Sequence, residues 1–140
     1  MKVKLILLLL LFWAISVVLN EYYRPYIYQN NIIDFGLADV AGNLTSPCAI
    51  CLLAWIMKWK ITTSSKKDVF IFTAIYLIHE CLSLFIPFLG TFDFKDLIAL
   101  TIGGFMSLAL HHLLEIENYY TTEQKNFTRS TTQSRATSNK

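Results

Sequence analysis

Four long apolar runs, separated by short polar stretches, limit what this chain can fold into more than any other feature. They extend from Leu5 to Leu19, from Leu44 to about Trp59, from Val69 to Leu89 and from about Asp96 to Ile116. An α-helix needs about 20 apolar residues to cross a bilayer. Hydrophobic residues make up 54% of the chain and charged residues 16%, fewer charges than a soluble domain carries. The sequence therefore predicts an all-α, polytopic membrane protein built as a bundle of four transmembrane helices.

The first run follows a basic start, residues 1–4, which a cleaved signal peptide would share. The residues that end the run, Ser16 to Leu19, are too bulky for the small-residue cleavage site of such a peptide. If the lysines extend toward the head groups, the run is long enough to cross the membrane. We therefore expect a retained transmembrane helix here.

The basic residues are concentrated in alternate links between the runs. Lys2 and Lys4 precede the first run, residues 58–67 contain four lysines, and the tail contains four basic residues. Only Arg24 and Lys95 fall in the remaining links. Because lysine and arginine accumulate on the cytoplasmic side, this pattern predicts that both termini are cytoplasmic. The carboxylates that then lie at or near the outer face are Asp34, Asp39, Asp93 and Asp96.

The last part of the chain differs in composition from the rest. Residues 118–140 are rich in Thr, Ser, Gln and Asn and show no apolar periodicity. Such a segment cannot bury enough apolar surface to offset its conformational entropy. We expect a transmembrane domain over residues 1–117 and a disordered cytoplasmic tail over residues 118–140.

Polar residues recur at helical spacing along three of the runs, so that each set shares one face of its helix. In lipid, such faces turn toward neighbouring helices, where polar side chains can form hydrogen bonds. A carboxylate in hydrocarbon needs compensation, and we expect Glu80 near the middle of the membrane. Gly103 and Gly104 would let a neighbouring backbone approach closely. The three sets are Asp39, Asn43, Ser46 and Cys51; Thr73, Tyr76, Glu80, Ser83 and Pro87; and Asp93, Asp96, Gly103, Ser107 and His111.

These sets predict a polar core in the outer half of the bundle, with its chemistry unassigned. Asp93 and Asp96 have an alternative use as caps at the start of the fourth helix, where carboxylates suit free N–H groups. His79 lies about 100° around the helix from Glu80, and we interpret it as a packing residue rather than a base. The sequence shows no nucleophile–base set, phosphate loop or metal-ligand pattern, so enzymatic activity stays open. The predicted core comprises Glu80, Asp93, Asp96, Asp39 and Asn43, with His79 and Ser83 as lesser candidates.

Two further patterns share features with metal or redox motifs. Cys48 and Cys51 have CxxC spacing, but no second pair accompanies them and they lie within a predicted spanning helix. We expect both thiols to pack as apolar side chains. His111 and His112 lie near the inner end of the fourth run, without ligand-type residues nearby. We therefore expect no cofactor and no metal, and the distribution of basic residues gives no support for a nucleic-acid partner.

Three short motifs follow one another along the chain: Asp39, Asn43 and Pro47; Glu80-Cys81-Leu82-Ser83 with Pro87; and Asp93 to Gly103. Their order and spacing resemble the VanZ-like family of small bacterial membrane proteins over roughly residues 34–108. That family typically has Asp-x-x-x-Asn followed by Pro, then Glu-x-x-Gln, then Asp-x-x-Asp followed by Asn-Thr-x-Gly. Ser83 replaces the usual Gln, Leu100 replaces the usual Asn, and the family's Lys/His-bearing element has no counterpart near residues 22–28.

The resemblance implies an integral membrane protein of the bacterial cell envelope, in a family linked to susceptibility to glycopeptide antibiotics of the teicoplanin type. On this basis we expect the acidic cluster to bind or modify an outward-facing lipid or cell-wall component. The expected partners are membrane lipids and a cell-wall or lipid-linked ligand. The alternative is a non-enzymatic interaction or assembly module whose polar faces pair with another membrane protein or a second copy. Proton-coupled transport is less favoured, because four short helices make a poor alternating-access scaffold.

Overall fold

A computed structural model gives the structure of residues 1–34, 36–86, 88 and 90–121. The helices are α1 (Lys2–Gln29), α2 (Leu37–Met57), α3 (Ser65–Ser83) and α4 (Phe94–Leu113), followed by a short helical C-terminal segment at residues 116–121. The described residues contain no β-strand. As predicted, this part of the chain is all-helical, and α1, α2 and α4 are long and apolar enough to cross a membrane.

α1 continues well past the apolar run that ends at Leu19. The helix widens to π geometry at Leu19–Tyr23 and resumes as an α-helix over Arg24–Gln29. Pro25 gives the physical reason, because it has no N–H to donate and its ring crowds the carbonyl of Glu21, four residues earlier. The turn before it widens instead of breaking. The tyrosine-rich stretch therefore extends the first helix, although the sequence indicated a polar link there.

α2 begins at Leu37, earlier than the apolar run that starts at Leu44. Asp34 fixes this start, because its carboxylate accepts the N–H groups of Gly36 at 3.0 Å and Ala38 at 2.7 Å. Both hydrogen bonds hold the pKa of the Asp34 carboxyl below its ordinary value, and the bond from Ala38 has the larger effect. α2 therefore includes the polar residues that precede Leu44.

α3 ends at Ser83, so the prediction of a helix reaching Leu89 is wrong. A proline disfavours helical geometry in the residue before it, and Pro87 therefore makes Ile86 a poor helical residue. Pro87 and Leu89 themselves lie outside the described residues. α3 also carries charged residues near both of its ends, and its composition alone does not mark it as membrane-spanning.

α4 lies between α2 and α3 and packs closely against both. A Cβ added to Gly103 would collide with the Leu44 carbonyl oxygen and crowd the Pro47 ring, both on α2. A Cβ added to Gly104 would collide with the Thr73 side chain on α3. As predicted, the two glycines permit close approach, and each serves a different neighbouring helix.

The apolar core is concentrated at one end of the bundle and includes the C-terminal segment. The predicted boundary between domain and tail, at residues 117 and 118, falls inside that segment, which is helical to residue 121. Residues 122–140, the remainder of the predicted tail, lie outside the described residues. The buried core residues are Leu5, Cys51, Leu52, Ala54, Trp55, Val69, Phe72, Ile116 and Tyr120.

Candidate functional site

The two ends of the bundle carry different polar groups. The acidic end, where α1 stops and where α2 and α4 begin, holds the carboxylates of the predicted polar core. The basic end holds the lysine-containing loop of residues 58–67 and the C-terminal segment.

Glu80, which we expected near the middle of the membrane, lies in the last turn of α3. The side chain is half-buried, and its Oε1 accepts the backbone N–H of Asp93 at 3.1 Å. This N–H precedes the first residue of α4. Glu80 therefore joins the end of α3 to the start of α4, a structural use of the carboxylate.

Asp93 caps α4, which is the alternative that the sequence left open. Its Oδ1 accepts the Lys95 N–H at 2.9 Å, and its carbonyl accepts the Asp96 N–H at 3.0 Å. Asp96 lies half-buried in the first turn of α4, where a carboxylate also suits the positive end of the helix dipole. Helix capping thus explains Asp93 without a ligand.

Asp39 is directed toward α1. Its Oδ1 accepts the Tyr28 hydroxyl at 2.5 Å and lies 3.2 Å from Arg24 Nη2. Asn43 is half-buried one turn further along α2. Among the described residues, hydrogen bonds join Asp93 to Glu80 and to Asp96, whereas the Asp39 side chain is bonded to Tyr28. The five residues therefore share one end of the bundle without forming one cluster.

The two lesser candidates are also accounted for by the structure. His79 is exposed on α3, so it is neither the packing residue that we expected nor a partner of the carboxylates. Ser83 is buried and donates to the Glu80 carbonyl at 2.7 Å, a bond within the last turn of α3.

A lateral groove opens between α2 and α4 at the acidic end, with a volume of about 420 Å³. Its walls are apolar and include Val40, Leu44 and Ile102. Asp34 and Lys95 lie at its polar end, and the Lys95 side chain extends over Gly36. Lys95 also contributes to lowering the pKa of Asp34 by charge attraction. An apolar slot with an ammonium and a carboxylate at one end matches an amphiphile.

A second lateral groove, of about 370 Å³, lies between α3 and α4. Phe70 and Phe105 border it, and its lining includes Ala74, with a small side chain, and Gly104, which has none. Its lining is almost entirely apolar. It resembles the first groove in size but has no charged group at its mouth.

At the basic end the structure brings together three residues that the sequence did not connect. Ser65 begins α3, His111 lies in the last turn of α4 and Glu117 is in the C-terminal segment. Ser65 Oγ lies 2.9 Å from His111 Nε2 and donates a hydrogen bond to Glu117 Oε2. Ser65 and His111 are only 1% and 2% exposed. The Trp55 ring meets the His111 ring edge-on at 5.8 Å.

Glu117 acts as the N-terminal cap of α3. The side chain of Ser64, at the cap position, makes no capping hydrogen bond. The hydrogen bond from the Ser65 hydroxyl is the main reason that the pKa of the Glu117 carboxyl lies below its ordinary value of 4.5. A hydrogen bond from the Ser65 backbone N–H lowers this pKa further. The signal available in the sequence was the Ser65-x-x-Asp68 spacing, typical of a helix start, but it could not identify Glu117.

The hydrogen bonds determine the tautomer of His111. A serine hydroxyl has one hydrogen, and Ser65 gives it to Glu117, so Nε2 must donate to Ser65 Oγ. The neutral ring therefore carries its proton on Nε2 and leaves Nδ1 as an acceptor. Nδ1 is buried and has no hydrogen-bond partner among the described residues. Since Ser65 is enclosed and does not donate to the imidazole, the arrangement is not that of an activated nucleophile.

The CxxC pair lies in the interior between α2 and α4. Cys48 and Cys51 are free thiols and are both buried. Cys48 Sγ lies 3.4 Å from the Gly103 carbonyl oxygen and 3.4 Å from Ser107 Oγ. Within the described part of the chain, no three ligand-type side chains are grouped to hold a metal ion. The thiols occupy the packing positions that the sequence indicated.

No family model matches the chain, and comparisons with curated proteins and with solved structures found no similar protein.

Proposed function

We propose that the protein is a multi-pass membrane protein of the bacterial cell envelope that binds an outward-facing lipid or lipid-linked component at its acidic end. The observation that carries this proposal is the groove between α2 and α4, with Asp34 and Lys95 at its polar end. An acyl chain would lie against its apolar walls, and a phosphate would meet the Lys95 ammonium. No catalytic set is present at this end among the described residues, so binding is favoured over reaction.

Four crossings follow if α3 accompanies α4 across the membrane. Ser65, the first residue of α3, contacts His111 near the end of α4. Glu80, in the last turn of α3, binds the Asp93 N–H at the start of α4. α3 is therefore antiparallel to α4 along nearly its whole length. Its 19 residues correspond to roughly 28 Å, close to the hydrocarbon thickness.

The proposed orientation places both termini and the basic end in the cytoplasm. Lys2 and Lys4 lie at the start of α1, and residues 58–67 connect α2 to α3. The positive-inside tendency then assigns the acidic end to the outer side. Cysteine-accessibility labelling at residue 91 and at residue 63 would test this arrangement, and outside labelling at residue 63 would overturn it.

The resemblance to the VanZ-like family supports the same region as the site. Its three motifs include Asp39, Glu80 and Asp93, all of which lie at the acidic end. An effect on susceptibility to teicoplanin-type glycopeptides belongs to this proposal, as the consequence of binding an envelope component. It is supported by the motifs alone.

The test is photo-crosslinking of the purified full chain in nanodiscs that contain a diazirine-bearing phospholipid. Ile98→Trp would fill the α2–α4 groove, while Ala74→Trp would fill the α3–α4 groove as a matched control. We expect Ile98→Trp to reduce labelling of α2 and α4 at least fivefold and Ala74→Trp to leave it unchanged. Lys95→Gln should reduce the preference for an anionic over an uncharged head group. Equal labelling of both tryptophan variants would indicate ordinary surrounding lipid and overturn the proposal.

A second function, an interaction module without catalysis, is favoured by the link between α3 and α4. Phe85 and Phe88 in this link are 80% and 95% exposed. Exposed aromatic side chains of this kind are suited to a protein partner at the membrane surface. Cysteine crosslinking at Phe88 in native membranes would test this function, since a strictly monomeric product would contradict it. Ser83 and Ser107 are buried and are therefore unsuitable as crosslinking positions.

A further inference from the structure

The C-terminal segment closes the basic end of the bundle through three kinds of contact. Ile116 is fully buried in the apolar core. Lys60 Nζ lies 3.9 Å from the centre of the Tyr120 ring, a cation–π contact between loop and segment. Glu117 caps α3 through Ser65. The segment is therefore bound to the loop and to the first turn of α3.

His111 lies beside these contacts, and its Nδ1 is the atom at which a further proton would bind. A second proton would enter at Nδ1, which is buried and has no acceptor among the described residues. The ring would then carry a charge and an unpaired N–H in a site that is 2% exposed. Both effects disfavour the charged ring while the segment stays in place.

Other charged groups face the junction, and one of them opposes release. Glu117 Oε2 lies 3.5 Å from His111 Nε2 and would stabilise an imidazolium. Its side chain is 47% exposed, so solvent screens this attraction, and it already accepts from Ser65. From α2, the uncharged Trp55 ring meets His111, and Leu5 of α1 belongs to the same apolar core as Trp55. The charged and titratable groups around the junction are Lys60, Lys66, Asp68, His112, Glu115 and Glu117.

We propose that this junction is a proton-operated latch, in which protonation of His111 releases residues 116–121 from the start of α3. The released segment would expose Nδ1 to water and leave the first turn of α3 without its cap. Acidification on the side of the basic end is thereby converted into release of residues 116–121. This latch is independent of lipid binding at the acidic end.

The latch is tested by hydrogen exchange of the full chain in nanodiscs at pH 7.5 and pH 5.5, corrected for the intrinsic chemical rate. We expect the amides of residues 116–121 to exchange at least tenfold faster at the lower pH. His111→Gln keeps a donor to Ser65 but cannot be protonated, so its segment should stay protected at both values. His112→Gln changes the exposed neighbour and should behave as the unaltered protein. Unchanged protection of the unaltered segment, or release in His111→Gln, would overturn the proposal.

A second measurement applies if His111→Gln fails to fold. A Trp13→Phe, Trp59→Phe chain retains His111 and leaves Trp55 as its sole tryptophan. A protonated imidazole in contact with an indole quenches its fluorescence, so Trp55 reports the charge on His111. The fluorescence change and the release of the segment should occur over the same pH interval. Release at a pH where Trp55 fluorescence is unchanged would contradict the latch.

Discussion

The acidic and basic ends of this bundle show two different uses of polar residues in a small membrane protein. At the acidic end, Glu80 and Asp93 bind backbone N–H groups at helix ends. At the basic end, Ser65, His111 and Glu117 form a side-chain junction between elements far apart in sequence. The buried polar site is occupied by His111, which the sequence did not place in the predicted polar core. A charged residue near a helix end has a ready backbone partner, whereas a buried ring in the interior does not.

The largest expected difference in stability between the two ends is that between the variants His111→Ala and His79→Ala. His111→Ala leaves a cavity beside Trp55 and removes the hydrogen bond to Ser65 Oγ, which should destabilise the protein by about 2–4 kcal/mol. His79→Ala, at an exposed position, should cost less than about 0.5 kcal/mol. Thermal unfolding in a single detergent compares the two variants. Similar losses for both would mean that the buried junction contributes no special stability.

A smaller difference is expected between the two glutamates that bind helix ends. Glu117→Ala removes the cap of α3 and should cost about 1 kcal/mol, with faster hydrogen exchange at the first turn of α3. Because the pKa of Glu117 is lowered from 4.5, its contribution is present above that value and is lost as the pH falls through the folded pKa. Measurements at neutral pH therefore report its full effect.

Glu80→Ala is the matched change at the acidic end, and it should mainly affect the amides at the start of α4. Since Asp93 still caps that helix, the loss should be smaller than for Glu117→Ala. A larger loss of stability in Glu80→Ala than in Glu117→Ala would reverse the expected order of the two ends.

The smallest effect is expected for the pair that joins α1 to α2. Asp39→Asn weakens an exposed ion pair with Arg24 and keeps an acceptor for the Tyr28 hydroxyl. Exposed pairs of this kind contribute less than about 1 kcal/mol. A midpoint of thermal unfolding within about 2 °C of the unaltered protein is the expected result. A loss of stability comparable to that of Glu117→Ala would show that Asp39 holds α1 and α2 together more strongly than exposed ion pairs normally do.

Several features of the fold could be predicted from the sequence because they depend on local composition. Apolar runs of spanning length predicted the helices, and periodicity placed Gly103, Ser107 and His111 on one face of α4, where all three are buried. The cap at Asp93 was also foreseen as an alternative, since it depends on residues two or three positions apart. These features are properties of single helices.

The helix ends were less predictable. α1 extends to Gln29 through a π turn, α2 starts at Leu37, and α3 ends at Ser83. Hydropathy does not register a proline that widens a turn or a carboxylate that caps a helix from outside the apolar run. Because α3 ends at Ser83, Glu80 lies in its last turn, where its carboxylate reaches the Asp93 N–H at the start of α4.

The sequence by itself determined that the chain forms long apolar helices with polar residues on shared faces, because composition and periodicity act within each helix. Only the tertiary structure decided which polar residues meet. Ser65 is 46 residues from His111 and 52 from Glu117, and their contact depends on where α3 begins and how the C-terminal segment folds back. Periodicity identifies the buried face of a helix, but the partner across that face is set by the lengths, ends and packing of all the helices together.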